Sequence, residues 1–184
     1  MKTIKEITDK DILKTKLLSY KKPKISARGI LIDEELNIAL LHIKNWDAFS
    51  LPGGGKQNGE STVDALKREM GEEAGCSIKI LGEIGTILEN RAYHDFVQIS
   101  YYYLTKVKVK KNKFKLTKKE IRSGTEVIWL NPEEAYETIK SQKPSKNRYL
   151  AEFMKMRDLE IFKYLKKSDD GIPRMFRYIT ENKL

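Results

Sequence analysis

The sequence predicts an α/β domain: a mixed β-sheet with helices packed on it. Three observations carry this reading. Short runs rich in β-branched and aromatic residues recur at 25–32, 37–43, 76–81, 83–89, 96–109 and 126–130. Segments with apolar residues at helical spacing lie at 61–74, 131–140 and 146–166. The order that results, β-β-loop-α-β-β-β-β-α-α, is that of a mixed sheet flanked by helices.

Taken in order, Thr8 caps a helix expected over 8–20, with Ile12, Leu13 and Leu17 on one side and Pro23 beyond its end. The runs 25–32 and 37–43 are joined across Asp33-Glu34-Glu35 as a hairpin. FSLPGGGKQNGE follows, and its three consecutive glycines and proline argue against regular structure. Ser61 caps the next helix with Asp64 three residues later, a weak capping box, and Gly75 ends it. Asn131-Pro132-Glu133-Glu134 starts another helix, with a cap, a proline in the first turn and acids that complement the dipole. The last helix turns Leu150, Phe153, Met154 and Ile161 inward.

The 184 residues read as one domain: an N-terminal helical extension over about 1–22, a core with its C-terminal helix over 23–166, and a tail over 167–184 that is a candidate contact for a second copy. A hydrophobic fraction of 40% is enough for a real core, which excludes wholesale disorder. With 36 basic and 26 acidic residues the net charge is +10, which favours polyanionic partners: nucleotides, nucleic acid or an anionic membrane. Apolar runs such as Ile38 to Leu41 are far too short to span a bilayer, and charges interrupt the N-terminus throughout. A single cysteine, Cys76, excludes an intramolecular disulfide and a cysteine zinc cluster. The expectation is a cytoplasmic protein.

The chemistry is concentrated between Gly53 and Cys76. At about 100° per residue, Val63, Leu66, Met70 and Ala74 form an apolar stripe, bordered by a stripe of Glu69, Glu72 and Glu73. Like charges at that spacing repel, and desolvation beside the core worsens the repulsion. A divalent cation would reverse it, and oxygen donors without sulfur or imidazole point to magnesium, with manganese as the alternate. The plain alternative is a solvated acidic face, with Arg68 paired to Glu72. The preceding loop favours the chemical reading: amides around Gly54 and Gly55 at a helix start can approach phosphate oxygens, and Lys56 adds a cation. Carboxylates beside such a loop suit metal-assisted attack on a phosphoanhydride.

Gly54, five residues, Glu60, seven residues, then Arg68-Glu69-Met70-Gly71-Glu72-Glu73-Ala74-Gly75-Cys76 resembles the Nudix box, with every defining position filled. Cys76 stands where an aliphatic residue is usual, and cysteine is itself a small hydrophobe when buried. Trp46, Leu51-Pro52-Gly53 and the Trp129 strand followed by NPEEA resemble the neighbours of that box. The resemblance implies an α/β/α sandwich around a mixed sheet. It implies magnesium held by Glu69, Glu72 and Glu73, with the Gly53 carbonyl completing the shell. Glu69 and Glu73 would be catalytic, Arg68 would hold Glu69 in position, and Glu60 would support the junction of loop and helix. The implied reaction is attack by water on a phosphorus of a nucleoside diphosphate linked to another group. The general base is Glu69 or an acid on a later loop, where Glu120 is the candidate and Glu126 a poorer one. The plain alternative for Glu120 is an exposed charge among lysines.

Other residues invite weaker readings. Eight lysines between Lys106 and Lys119 read as a lysine-studded hairpin with one solvated face, or as a phosphate or RNA rail. Tyr93, with His94 beside it, is placed where a base could stack, and a packing role is its alternative. Arg28 would reach substrate phosphate if its strand face meets the cleft. His42 and Tyr101-Tyr102-Tyr103 read as structural. Nucleoside triphosphates are the substrate expected first, ahead of nucleotide sugars and diadenosine polyphosphates. A nucleotide- or RNA-binding module, or hydrolysis at RNA 5′ ends, is the rival reading.

Overall fold

The computed structural model describes residues 1–110, 114–167, 174, 176 and 177. Along the chain run β1 (Thr3–Thr8), α1 (Asp9–Ile12), β2 (Lys24–Ile32), β3 (Ile38–Ile43), β4 (Ala48–Ser50), β5 (Gly53–Gly55), α2 (Thr62–Glu73), β6 (Cys76–Arg91), β7 (Phe96–Lys110), α3 (Lys118–Ser123), β8 (Thr125–Leu130), α4 (Pro132–Ser141) and α5 (Arg148–Lys167). The strands make one mixed sheet in the order β1-β6-β7-β2-β3-β4, with β5 also paired to β2 and β8 to β3.

Alternation along β2 explains the two layers of core. Ala27 and Leu31 point to the face covered by Leu66 and Met70 of α2. Ile30 and Ile32 point to the opposite face, under Ile139 of α4 and Phe153, Ile161 and Phe162 of α5. Each fully buried aliphatic or aromatic side chain contributes about 1.5–3 kcal/mol, so neither helical layer is dispensable. The result is the expected α/β/α sandwich.

Local expectations hold where the chain caps itself. Ser61 and Asp64 exchange both bonds of a capping box at the start of α2, and Asn131 does the same with Glu134 for α4. Gly75 follows α2 with φ +63°, a conformation glycine adopts without strain.

Four expectations are corrected. The helix expected over 8–20 is a four-residue turn, capped by Thr8 and stopped before Lys14 takes a left-handed φ of 61°. Leu17 is exposed rather than inward. Ahead of it β1 runs parallel to β6, a long-range pairing that no local pattern reports. The glycine run is a strand, because Gly53–Gly55 pairs antiparallel with Arg28, Ala27 and Ser26. The segments 76–81 and 83–89 are one strand, β6, interrupted by register shifts at Ser77/Ile78, Ile80/Gly82 and Glu83/Gly85. Among the described residues the lysine-rich stretch does not pair with itself as a hairpin: Lys106 and Lys110 pair with β6, and Thr117 and Glu120 cap the separate helix α3. Residues 111–113 within it, and most of the tail offered as a contact for a second copy, lie outside the described residues.

Candidate active site

The site arises where the sheet divides. β2 pairs with β3 only at Ile32↔Ile38, while its first half is bonded to β5 instead. The strands diverge around a cleft of about 560 Å³, a size suited to a nucleotide. Residues of α2, α3, β5 and α5 all line it.

Glycine lets α2 present its acids at short range. Gly53 has φ +132°, and a side chain there would overlap the Ala27 carbonyl. A Cβ on Gly54 would sit 2.5 Å from Glu69 Oε1. Bare backbone is therefore what allows the carboxylates to lie against β5. The Gly53 N–H donates to Glu73 Oε2 at 2.6 Å.

Arg68 organises the rest. Its Nε donates to Glu60 Oε1 at 2.7 Å, its Nη1 to Glu69 Oε1 at 2.7 Å and to Glu72 Oε2 at 3.1 Å, and its Nη2 to the Gly55 carbonyl at 2.9 Å. Glu60 is held down at about 2 by its hydrogen bond to Arg68 and the one from the Gln57 amide. Glu73 behaves in the opposite sense. Burial pushes its carboxyl up to about 8, the Gly53 amide offsetting only part of this. Burial also raises Glu69, against the pull of Arg68.

These acids fit a hard divalent cation, since every donor is oxygen and burial drives the two most buried towards protonation even against the pull of the nearby arginines. Glu69, Glu72 and Glu73 would hold it. Among the described residues no three acidic, imidazole or thiol groups already converge on one point. Arg68 bridges Glu69 Oε1 and Glu72 Oε2, so the oxygens it leaves to a cation are Glu69 Oε2 and Glu72 Oε1. The Gly53 carbonyl accepts Arg28 Nη1 at 2.8 Å, which leaves it one lone pair to offer.

The other candidates divide. Gly54, Gly55 and Arg28 line the cleft, so the face of Arg28 is the favourable one. Glu120 lines it too, and its charge helps to raise Glu73 across the gap. Its Oε2 also accepts the Thr117 N–H at 2.6 Å, so it is held rather than loose among lysines. Lys56 is exposed and its Nζ reaches only the Gln57 carbonyl, 3.4 Å away. Glu126 pairs with Lys44 at 2.7 Å. Tyr93 is 71% exposed and lies outside the cleft. Its N–H donates to Asp9 Oδ2 and its ring leans on Tyr149, the packing alternative to stacking on a base. His42 stacks on Phe49 and Tyr102 is wholly buried, both structural as expected.

Arg91, Gln98, Arg157 and Trp46 also line the cleft. Trp46 stands in the sequence as a neighbour of the box. Nothing in the sequence pattern marks the other three, because strand register and the seating of α5 bring them together.

The NUDIX domain profile matches residues 22–153, well over half of the chain. No curated protein matches it. Among solved structures, a NUDIX hydrolase from Nitrosomonas europaea is similar with TM-score 0.56 and 20% identity, over 77% of this chain and 89% of that one. A UDP-X diphosphatase is similar at 0.53 and 15%, over 80% and 65%. A MutT NUDIX hydrolase from Burkholderia pseudomallei is similar at 0.52 and 15%, over 74% and 98%. At these identities the structures share the fold. The profile runs from before β2 to the first turns of α5, across the whole of the acidic site, and on that extent the chain belongs to the NUDIX domain family of hydrolases acting on pyrophosphate bonds.

Proposed function

We propose that this chain is a magnesium-dependent pyrophosphohydrolase of nucleoside diphosphate derivatives, with nucleoside triphosphates as its preferred substrates. One observation carries the reading. Glu69 and Glu73 are buried against a side-chain-free strand, in a nucleotide-sized cleft, with Glu120 facing them.

Glu69, Glu72 and Glu73 hold the magnesium, for which manganese can substitute; when bound it neutralises phosphate oxygens and acidifies water. Arg68 keeps Glu69 aimed at the cleft. Gly54 and Gly55 let the substrate approach the backbone closely. Glu120 is the base we assign, because it stands across the cleft from Glu73 and outside the ligand set. It takes a proton from water as the water oxygen bonds to phosphorus, and the phosphoanhydride oxygen leaves with the departing phosphate. We place the protein in the cytoplasm on its composition. No described helix is long and apolar enough to cross a membrane.

The test is release of phosphate or pyrophosphate from nucleoside triphosphates, nucleotide sugars, diadenosine polyphosphates and 5′-triphosphate RNA, with and without magnesium. Turnover should require magnesium and fall by about 10²–10⁴ in Glu120→Gln, and it should collapse in Glu73→Gln. Every substrate remaining intact at high enzyme concentration would exclude hydrolysis. Nucleotide binding that survives Glu72 and Glu73 replacement would then favour a sensing module.

A further inference from the structure

The cleft has a second pole that the carboxylate chemistry does not use. On the α5 side of the sheet, Arg28, Arg91 and Arg157 line it together with Gln98. Among the described residues the acids in ion pairs with them are Glu89 and Asp158, both 0% exposed. Arg157 clasps Asp158 through Nε at 2.9 Å and approaches Glu89 at 3.5 Å. Arg91 Nη2 donates to Glu89 Oε1 at 2.6 Å, and Gln98 Nε2 to Glu89 Oε2 at 3.1 Å. Three guanidiniums thus stand over two carboxylates. The third, Arg28, donates to the neutral carbonyls of Leu51 and Gly53 and makes no ion pair among the described residues, although its charge pulls on Glu69 and Glu73 at the acidic pole.

The donors are also incompletely used. Arg28 Nε and Arg91 Nε are buried without a hydrogen-bond partner among the described residues, a state that leaves the full desolvation of a charged donor uncompensated. Arg91 is only 8% exposed, and its guanidinium lies 5.0 Å from the Phe96 ring centroid and 5.6 Å from that of Phe153. Those rings position the charge without neutralising it. Buried guanidinium forks that exceed their acids are how proteins recognise carboxylate and phosphate oxygens.

We propose that Arg28 and Arg91 form an anion subsite that takes a third anionic group of the substrate, a phosphate or a carboxylate beyond the pyrophosphate held at the glutamates. Gln98, whose two Nε2 hydrogens go to Glu89 Oε2 and to Ser100 Oγ, both at 3.1 Å, is with Arg157 and Glu89 a positioning residue beneath it. The substrate lies along the cleft from the acidic pole, past Arg28 beside Gly53, to the basic pole. This rests on the hydrolase reading for its pyrophosphate half and selects, among nucleoside diphosphate derivatives, those with an acidic far end over those with a neutral sugar.

The test separates the two readings by leaving out both metal and turnover. The full chain in EDTA is titrated with inorganic tripolyphosphate by calorimetry. Without a cation the acidic pole repels the anion, so binding reports the basic pole. Binding at one site per chain is expected, weakened at least about tenfold in Arg91→Met and less in Arg91→Lys, which keeps the charge. No binding by the parent, or equal binding by parent and Arg91→Met, overturns the proposal. Should Arg91→Met fail to fold, Arg28→Met is measured the same way, again with weakening expected and parental affinity overturning. A second series, with magnesium and Glu120→Gln, compares a nucleoside triphosphate, a nucleoside diphosphate hexuronate and a nucleoside diphosphate neutral hexose. The tighter of the first two identifies phosphate or carboxylate. A neutral hexose bound as tightly as both overturns the subsite.

Discussion

Glu73 is strongly altered by its surroundings, and its ionisation links the site to stability. Its carboxyl titrates at about 8 in the fold against an ordinary 4.5. Between those values the folded chain holds a proton that the unfolded chain has released, so stability falls as pH rises through that window, by at most about 1.4 kcal/mol per pH unit. The melting temperature of metal-free protein should therefore decline from about pH 4.5 to about pH 8. Glu73→Gln should remove that decline, and magnesium should flatten it by favouring the carboxylate. An unchanged slope in the variant would exclude Glu73 as the source. Gly54 makes the complementary case for space. Alanine there meets Glu69 Oε1 at 2.5 Å and must displace it. Turnover should fall about 100-fold, the scale expected when a reacting group moves by an ångström, and the stabilisation by magnesium should shrink with it.

At the level of elements, α5 acts beyond the core it covers. Asp158 accepts the Leu51 N–H at 2.9 Å, the Ser50 hydroxyl at 2.8 Å and the Tyr102 hydroxyl at 2.6 Å. It thereby anchors the chain just before Gly53. Asp158→Ala leaves the Arg157 guanidinium buried beside an empty partner position, and loss of one member of a buried pair costs about 3–5 kcal/mol. Urea unfolding should show that loss. The profile match stops at 153, yet Ile161, Phe162 and Leu165 are fully buried. A chain cut after residue 153 should have no cooperative melt by circular dichroism. Elements that cap themselves, α2 and α4, were legible in sequence because their hydrogen bonds span three residues. β1, β5 and α3 were not: β1 and β5 exist by pairing with partners far along the chain, and α3 is short and sits in a lysine run without apolar periodicity.

For the whole molecule, the net charge of +10 acts on how ligands arrive more than on the fold. The cleft keeps its own acidic and basic poles, and the general positive field draws polyanions towards both. Raising ionic strength from about 0.05 to about 0.5 M shortens the Debye length to a few ångströms. The expected outcome is a fall in kcat/KM for nucleoside triphosphates, carried by KM with kcat nearly constant. A salt-independent kcat/KM would mean that long-range charge does not guide the substrate.

The sequence by itself determined the layered α/β architecture, the capped helix carrying Glu69, Glu72 and Glu73, the guanidinium of Arg68 beside them, and the family. Those features depend on neighbours three or four positions apart, or on a motif contiguous in the chain. Only the tertiary structure decided that the glycine run is a strand, that Arg28 faces the cleft, that Glu120 stands opposite Glu73, and that Tyr93 lies outside the cleft. It also decided the basic pole, where Arg91 of β6, Gln98 of β7 and Arg157 of α5 meet. The physical reason is register. A strand shifted by one residue turns every side chain to the other face, and its register is set by packing of the entire sheet between its two helical layers.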